Sequence, residues 1–182
     1  MPALFSPPNL LTCVRIVLTP FIVIALVEGR CTQAFWMSLI AGFTDAADGY
    51  VARKMGESSR LGAYLDPIAD KFLLTALYLC FGFASLAPWW LVWLVVGRDV
   101  MILSLVAGGY FGKGIRDFPP TTSGKVSTLL QIVSSLAVIS RCAYDLAPEW
   151  VNGLLYATAL ATAWSGVRYL HRAVRSLTAV SH

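Results

Sequence analysis

Four aspartates, Asp45, Asp48, Asp66 and Asp70, fall in the stretch GFTDAADGYVARKMGESSRLGAYLDPIADK, Gly42 to Lys71, of a chain with only 10 acidic residues in all. Asp45 and Asp48 are spaced i,i+3 and Asp66 and Asp70 i,i+4, so on helices each pair shares a face. A short connection would make the two helices antiparallel neighbours, with both pairs bordering one cleft. Unpaired carboxylates are costly in an apolar setting, roughly 2.5–3.5 kcal/mol each at the middle of a membrane helix, and their mutual repulsion adds to that. Arg53, Lys54 and Lys71 offset part of the charge. Two divalent cations would balance it, and oxygen-only ligands favour Mg2+, Mn2+ or Ca2+ over zinc or copper. Small residues surround the carboxylates: Ala46, Ala47, Gly49 and Ala52 on one side, Gly62 and Ala63 on the other. Small residues serve close helix packing or close approach of a ligand, and Gly49 alone fits both. Beside a carboxylate cluster and Arg53, the ligand gains.

The elements that must carry these residues are membrane helices. The chain has 182 residues, which suits one domain, and it is 57% hydrophobic and 13% charged with a net charge of +4. Soluble domains carry about 25% charged residues, so the bilayer is the expected solvent. The basic residues fall between apolar runs, with no basic stripe interleaved with aromatics, which excludes nucleic acid and favours a membrane surface or anionic lipid headgroups. Six runs are long enough to span: Leu10–Val27, Gln33–Val51, Leu61–Ser85, Trp89–Tyr110, Gly124–Ser140 and Trp150–Leu170. No period-2 alternation predicts a strand, and no internal repeat appears. The expected fold is all-α with six transmembrane helices in a single domain, 1–182, whose residues 1–9 form an interfacial segment that breaks at Pro7-Pro8 and caps the first helix at Asn9.

Arg53, Lys54 and Arg60 lie between the second and third helices, Lys113 and Arg116 between the fourth and fifth, and Arg172 and Arg175 after the sixth. The opposite loops are poorer in cations, so both termini and the aspartate end are expected in the cytoplasm. Trp89, Trp90 and Trp150 mark the far interface. The first apolar run carries Arg15 and has neither a basic leader nor a convincing cleavage site, so a retained helix is expected rather than a signal peptide. Cys13, Cys31, Cys80 and Cys142 form no metal-binding spacing. Cys31 and Cys142 could both lie near the outer face, where a disulfide could form, but buried inert thiols are the default.

Two further sets of charges call for explanation. Arg98 and Asp99 sit in an otherwise apolar run, either as an ion pair between helices or with Arg98 on a substrate phosphate, which its planar fork fits. Lys125 and Arg116 could assist from the cytoplasmic side. Arg15 either snorkels to headgroups or points inward to a phosphate. Gly108 and Gly112 form a GxxxG, a weak pattern for a helix contact.

The aspartate stretch resembles the signature of the CDP-alcohol phosphotransferase family, Asp-x2-Asp-Gly-x2-Ala-Arg-x8-Gly-x3-Asp-x3-Asp. Asp45, Asp48, Gly49, Ala52, Arg53, Gly62, Asp66 and Asp70 occupy its fixed positions without departure. The resemblance implies six helices, two divalent metal ions (Mg2+ or Mn2+) on the four aspartates, and transfer of a substituted phosphate from a CDP-linked donor to an alcohol with release of CMP. It implies that Asp70 is the base on the acceptor hydroxyl, that Asp48, Gly49, Ala52, Arg53 and Gly62 lie near the CDP group, and that the protein is a homodimer. Asn9-Leu10-Leu11-Thr12 with Arg15, Leu65-Asp66-Pro67-Ile68-Ala69-Asp70-Lys71 and Gly124-Lys125-Val126 resemble the family's glycerol-type branch, implying CDP-diacylglycerol as donor. Gly97-Arg98-Asp99-Val100 looks more like members that use phosphatidylglycerol as acceptor, so that lipid is favoured over glycerol 3-phosphate. A short chain without an evident transit peptide fits a bacterial inner membrane. The competing class is an ion-binding transporter, against which the placement of Gly49, Arg53 and Gly62 argues.

Overall fold

The computed structural model describes residues 7–55, 60–113, 122–145 and 147–179, with side chains described over 14–44, 71–105, 122–145 and 147–172. Among the described residues there are six helices and no strand: α1 (Pro7–Val27), α2 (Cys31–Met55), α3 (Arg60–Phe83), α4 (Trp89–Lys113), α5 (Thr122–Tyr144) and α6 (Pro148–Ala179). The apolar runs located the helices, but several helices outlast them. α2 continues past Val51 to Met55, and α6 continues past Leu170 to Ala179, because backbone hydrogen bonding does not stop where apolar side chains do. The expected cap at Asn9 is not found. α1 already begins at Pro7, since proline is tolerated in a first turn whose N–H groups have no helical partner.

Three connections at one end of the bundle close with left-handed residues. After α1, Gly29 has φ 72°, and its N–H reaches Leu26 O while Arg30 N–H reaches Ala25 O, the paired closure of a Schellman cap. After α3, Ser85 takes the same role with φ 56°, and Ser85 and Leu86 donate to Gly82 O and Phe81 O. After α5, Asp145 (φ 52°) donates to Arg141 O. At this end Gly82 is required by close approach, because a Cβ there would lie 3.1 Å from the Trp89 ring. Trp89 packs edge-on against Phe83, Trp90 stacks on Tyr156, and Trp150 is 84% exposed.

The helices pack as a ring. α1 meets α2 and α3, α2 meets α5, α5 meets α6, α6 meets α4, and α4 closes back on α3; α5 also touches α3 across the middle. Toward the end with the left-handed caps the core is apolar, with Ile22, Tyr78, Phe81, Leu91 and Ile139 among the largest buried side chains. The other half is held by a polar seam. Ser127, Gln131 and Ser134 of α5 and Thr158, Thr162 and Ser165 of α6 repeat at intervals of four and three, and all are buried. Ser127 and Thr162 hydroxyls lie 3.1 Å apart, Gln131 Nε2 donates to Thr162 Oγ1, and the Tyr78 hydroxyl pairs with Ser134 at 2.7 Å. The outward faces carry Leu129, Val133, Leu160, Trp164 and Val167, all exposed. Polar inside and apolar outside reverses the arrangement of a water-soluble bundle. Among the described residues, α5 alone is long and apolar enough to cross a bilayer by that measure, with a mean hydropathy of 1.5; the stretches Val14–Val27 and Lys71–Phe83 are apolar but shorter.

Cys31 and Cys142 correct the default of inert thiols: they form a disulfide, with Cα atoms 5.6 Å apart. Cys31 opens α2 and Cys142 lies in the last turn of α5, so ring packing of α2 on α5 brings them together at the end with the left-handed caps. Cys80 stays free and buried. The bond closes a loop of 111 residues, so Cys142→Ser should lower stability by about 2–4 kcal/mol. Thermal unfolding of the detergent-solubilised variant, compared with the parent under oxidising and reducing conditions, checks this; equal midpoints would show the crosslink to be idle.

Candidate active site

Both aspartate pairs lie within continuous helix, Asp45 and Asp48 on α2 and Asp66 and Asp70 on α3. At 1.5 Å rise per residue, Asp48 and Asp45 stand about 10 and 15 Å back from the end of α2, and Asp66 and Asp70 about 9 and 15 Å in from the start of α3. The two pairs are therefore set at matching depths from the connection joining their helices, and both helices pack on α1. The side chains of these aspartates, and of Gly49, Ala52, Arg53 and Gly62, lie outside those described. Among the described residues no group of three or more metal-binding side chains occurs.

On α3 the described side chains begin at Lys71, the residue after Asp70. Lys71 Nζ donates to Asp99 Oδ1 of α4 at 3.2 Å, and Arg98 Nη1 donates to the same oxygen at 2.5 Å. Arg98 Nη2 continues the chain to Ser165 Oγ of α6 at 2.8 Å, and the guanidinium lies 5.7 Å from the centre of the Tyr169 ring, within range of a cation–π contact. Arg98 is 8% and Asp99 6% exposed. One carboxylate thus ties two cations, and three helices, in an environment that strengthens electrostatics. Among the described residues, Arg98 Nε is buried with no hydrogen-bond partner.

Arg98 also lines a cavity of about 420 Å³ with Lys71, Lys125, Gly124, Thr128 and Tyr169. It opens among α3, α4, α5 and α6, where α4 packs on α6 and α3 rather than on α5, its successor in the chain. Three cations, one each from α3, α4 and α5, line this cavity and suit an anion, and a guanidinium fork suits paired phosphate oxygens. A second cleft of about 300 Å³ lies between α3 and α4, lined by Phe72, Thr75, Val96, Val100 and Leu103 together with Lys71 and Asp99. The ion cluster therefore separates a cationic cavity from an apolar slot.

The sequence expectations divide accordingly. Arg98 and Lys125 do share a cavity, whereas Arg116 lies outside the described residues. The Arg98–Asp99 pair is internal to α4, and the link between helices is made by Lys71, which had been expected to offset the aspartates. Arg15 is 3% exposed, so it points inward rather than snorkelling. Tyr169, Ser165 and Thr128 were not anticipated. Thr158, Thr162 and Ser165 repeat at helical spacing and so marked the inward face of α6, but nothing local paired that face with Arg98.

The fold and the aspartate-bearing helices define a family: residues 5–165 match the CDP-alcohol phosphatidyltransferases, and the chain belongs to that family. Among its relatives, it is 33% identical over 183 residues to a Drosophila melanogaster protein named probable cardiolipin synthase (CMP-forming), covering 90% of this chain and 56% of the fly protein. It is 32% identical over 181 residues to the Rattus norvegicus cardiolipin synthase (CMP-forming), covering 90% of this chain and 60% of the rat protein. It is also 34% identical over 143 residues to the Aquifex aeolicus CDP-diacylglycerol–glycerol-3-phosphate 3-phosphatidyltransferase, covering 76% of this chain and 78% of that protein. The chain thus spans somewhat over half the length of the two animal relatives.

Arg98→Lys keeps the charge but loses the fork that reaches Asp99 and Ser165 together. Affinity of the cavity for glycerol 3-phosphate as a probe should fall about tenfold, read by isothermal titration calorimetry; unchanged affinity would detach Arg98 from the anion site.

Proposed function

We propose that this chain is an integral membrane phosphatidyltransferase that moves the phosphatidyl group of CDP-diacylglycerol to a glycerol-type alcohol and releases CMP. The observation that carries the proposal is the continuity at Lys71, which follows Asp70 in the chain and forms a wall of the cationic cavity. Asp70, as the proposed base, is then within one helical turn of a residue lining a cationic cavity, which supports transfer to an acceptor that bears both a hydroxyl and a phosphate. The six helices cross the bilayer with both termini and the aspartate end toward the cytoplasm. Two observations support that topology: the cations of the loops at the aspartate end, and the Cys31–Cys142 disulfide at the opposite end, where an oxidising compartment permits one.

Asp45, Asp48, Asp66 and Asp70 form an all-oxygen donor set on two helices, which fits Mg2+ or Mn2+. When bound there, two such ions would neutralise charge on the CDP diphosphate. Asp48, Gly49, Ala52, Arg53 and Gly62 border the CDP group, the glycines leaving room for it and Arg53 offering a cation. Asp70 accepts the proton of the acceptor hydroxyl. The freed oxygen forms a bond to the phosphorus bearing diacylglycerol as the bond from that phosphorus to the CMP oxygen breaks, and CMP leaves with the electron pair. Arg98, with Lys125, holds the acceptor phosphate. Arg15, inward on α1, and Arg116 are the further candidates for phosphate contacts.

Phosphatidylglycerol is the favoured acceptor. The apolar slot beside the cationic cavity offers an acyl chain a place, and the fly and rat relatives carry the cardiolipin synthase name. Glycerol 3-phosphate is the alternative, as the name of the Aquifex relative suggests. The functional unit is a homodimer.

Reconstituted protein given CDP-diacylglycerol, Mg2+ or Mn2+ and phosphatidylglycerol should release CMP and yield cardiolipin by mass. Chelation by EDTA should stop the release and added Mn2+ restore it. Absence of metal-dependent CMP release with either acceptor would sink the proposal. Asp70→Asn should lower turnover at least about 100-fold with donor binding still measurable; full turnover in that variant would remove Asp70 as the base.

A further inference from the structure

We infer that Asp99 sets the charge the acceptor cavity accepts, matching it to a phosphodiester with one negative charge rather than a phosphomonoester with two. The inference rests on the function proposed above. Lys71, Arg98 and Lys125 supply three cations to the cavity wall. Asp99 Oδ1 accepts from both Arg98 Nη1 and Lys71 Nζ, so one buried carboxylate stands against two of them and leaves that cluster with a single net positive charge. Lys125 adds another from an exposed position, where solvent screens it. The geometry of Arg98 agrees with this limit. Nη1 donates to Asp99 and Nη2 to Ser165, so two of its five N–H groups are already engaged with protein. The lining therefore carries less net positive charge than its three cations would suggest. A dianion feels any added positive charge twice as strongly as a monoanion does, and the burial of Arg98 and Asp99 limits the screening of that difference, Lys71 being half-buried.

Asp99 is thus a specificity-determining residue, and Lys71 is its counterweight. The two variants Asp99→Asn and Lys71→Met change the cavity charge in opposite directions. The test compares the KM for phosphatidylglycerol with the KM, or inhibition constant, for glycerol 3-phosphate, using reconstituted protein and CDP-diacylglycerol. Asp99→Asn is expected to tighten glycerol 3-phosphate about tenfold relative to phosphatidylglycerol, and Lys71→Met to weaken it by a similar factor. A purely structural ion cluster would lower activity or stability in both variants without moving the ratio, and an unmoved ratio overturns the inference. If Asp99→Asn does not fold, Lys71→Met alone decides: no loss of relative affinity for the dianion rejects the idea. A parent protein that turns over neither acceptor defeats the function on which the inference rests, whereas an active parent with unmoved ratios defeats the inference alone.

Discussion

A single buried carboxylate organises the half of this protein opposite the disulfide. Asp99 on α4 accepts hydrogen bonds from Lys71 on α3 and from its own neighbour Arg98, which passes the connection on to Ser165 on α6. Moving charges out of water costs several kcal/mol per ion even after relaxation, so none of these groups could stand there alone. Together they are compensated, and the compensation requires α3, α4 and α6 to hold one relative position. The cationic cavity and the apolar slot are the two sides of that cluster.

The rest of the bundle follows a related constraint. Where the surroundings are apolar, polar side chains are stable only if they find one another. Ser127, Gln131 and Ser134 on α5 meet Thr162 on α6 and Tyr78 on α3, while Leu129, Val133, Leu160 and Trp164 turn outward. At the opposite end the core is apolar, the helices close with left-handed caps, and the Cys31–Cys142 disulfide binds α2 to α5. The molecule thus has a firmly tied end and an end that holds the charged clefts.

Much of this was legible in the chain. The apolar runs located six helices, and the aspartate signature pointed to the family that the match over residues 5–165 establishes. Helix ends were less legible, since α1 starts at Pro7 ahead of the expected cap and α6 continues to Ala179. The chain alone also favoured inert thiols at Cys31 and Cys142, because their pairing depends on α2 packing against α5 across a long separation.

What the sequence by itself determined is whatever one helix encodes: the paired spacings of Asp45 with Asp48 and of Asp66 with Asp70, and the helical repeat of hydroxyls on α5 and α6; the matched depths of the two aspartate pairs depended on where α2 ends and α3 begins. Tertiary structure alone decided which charges meet. Arg98 and Asp99 are adjacent in the chain, yet their partners Lys71 and Ser165 lie on other helices. The physical reason is that a local pattern specifies which face of a helix is polar, whereas pairing between faces depends on the order in which helices surround the core, and ring closure through α2–α5 and α4–α6 contacts is not written in any local spacing.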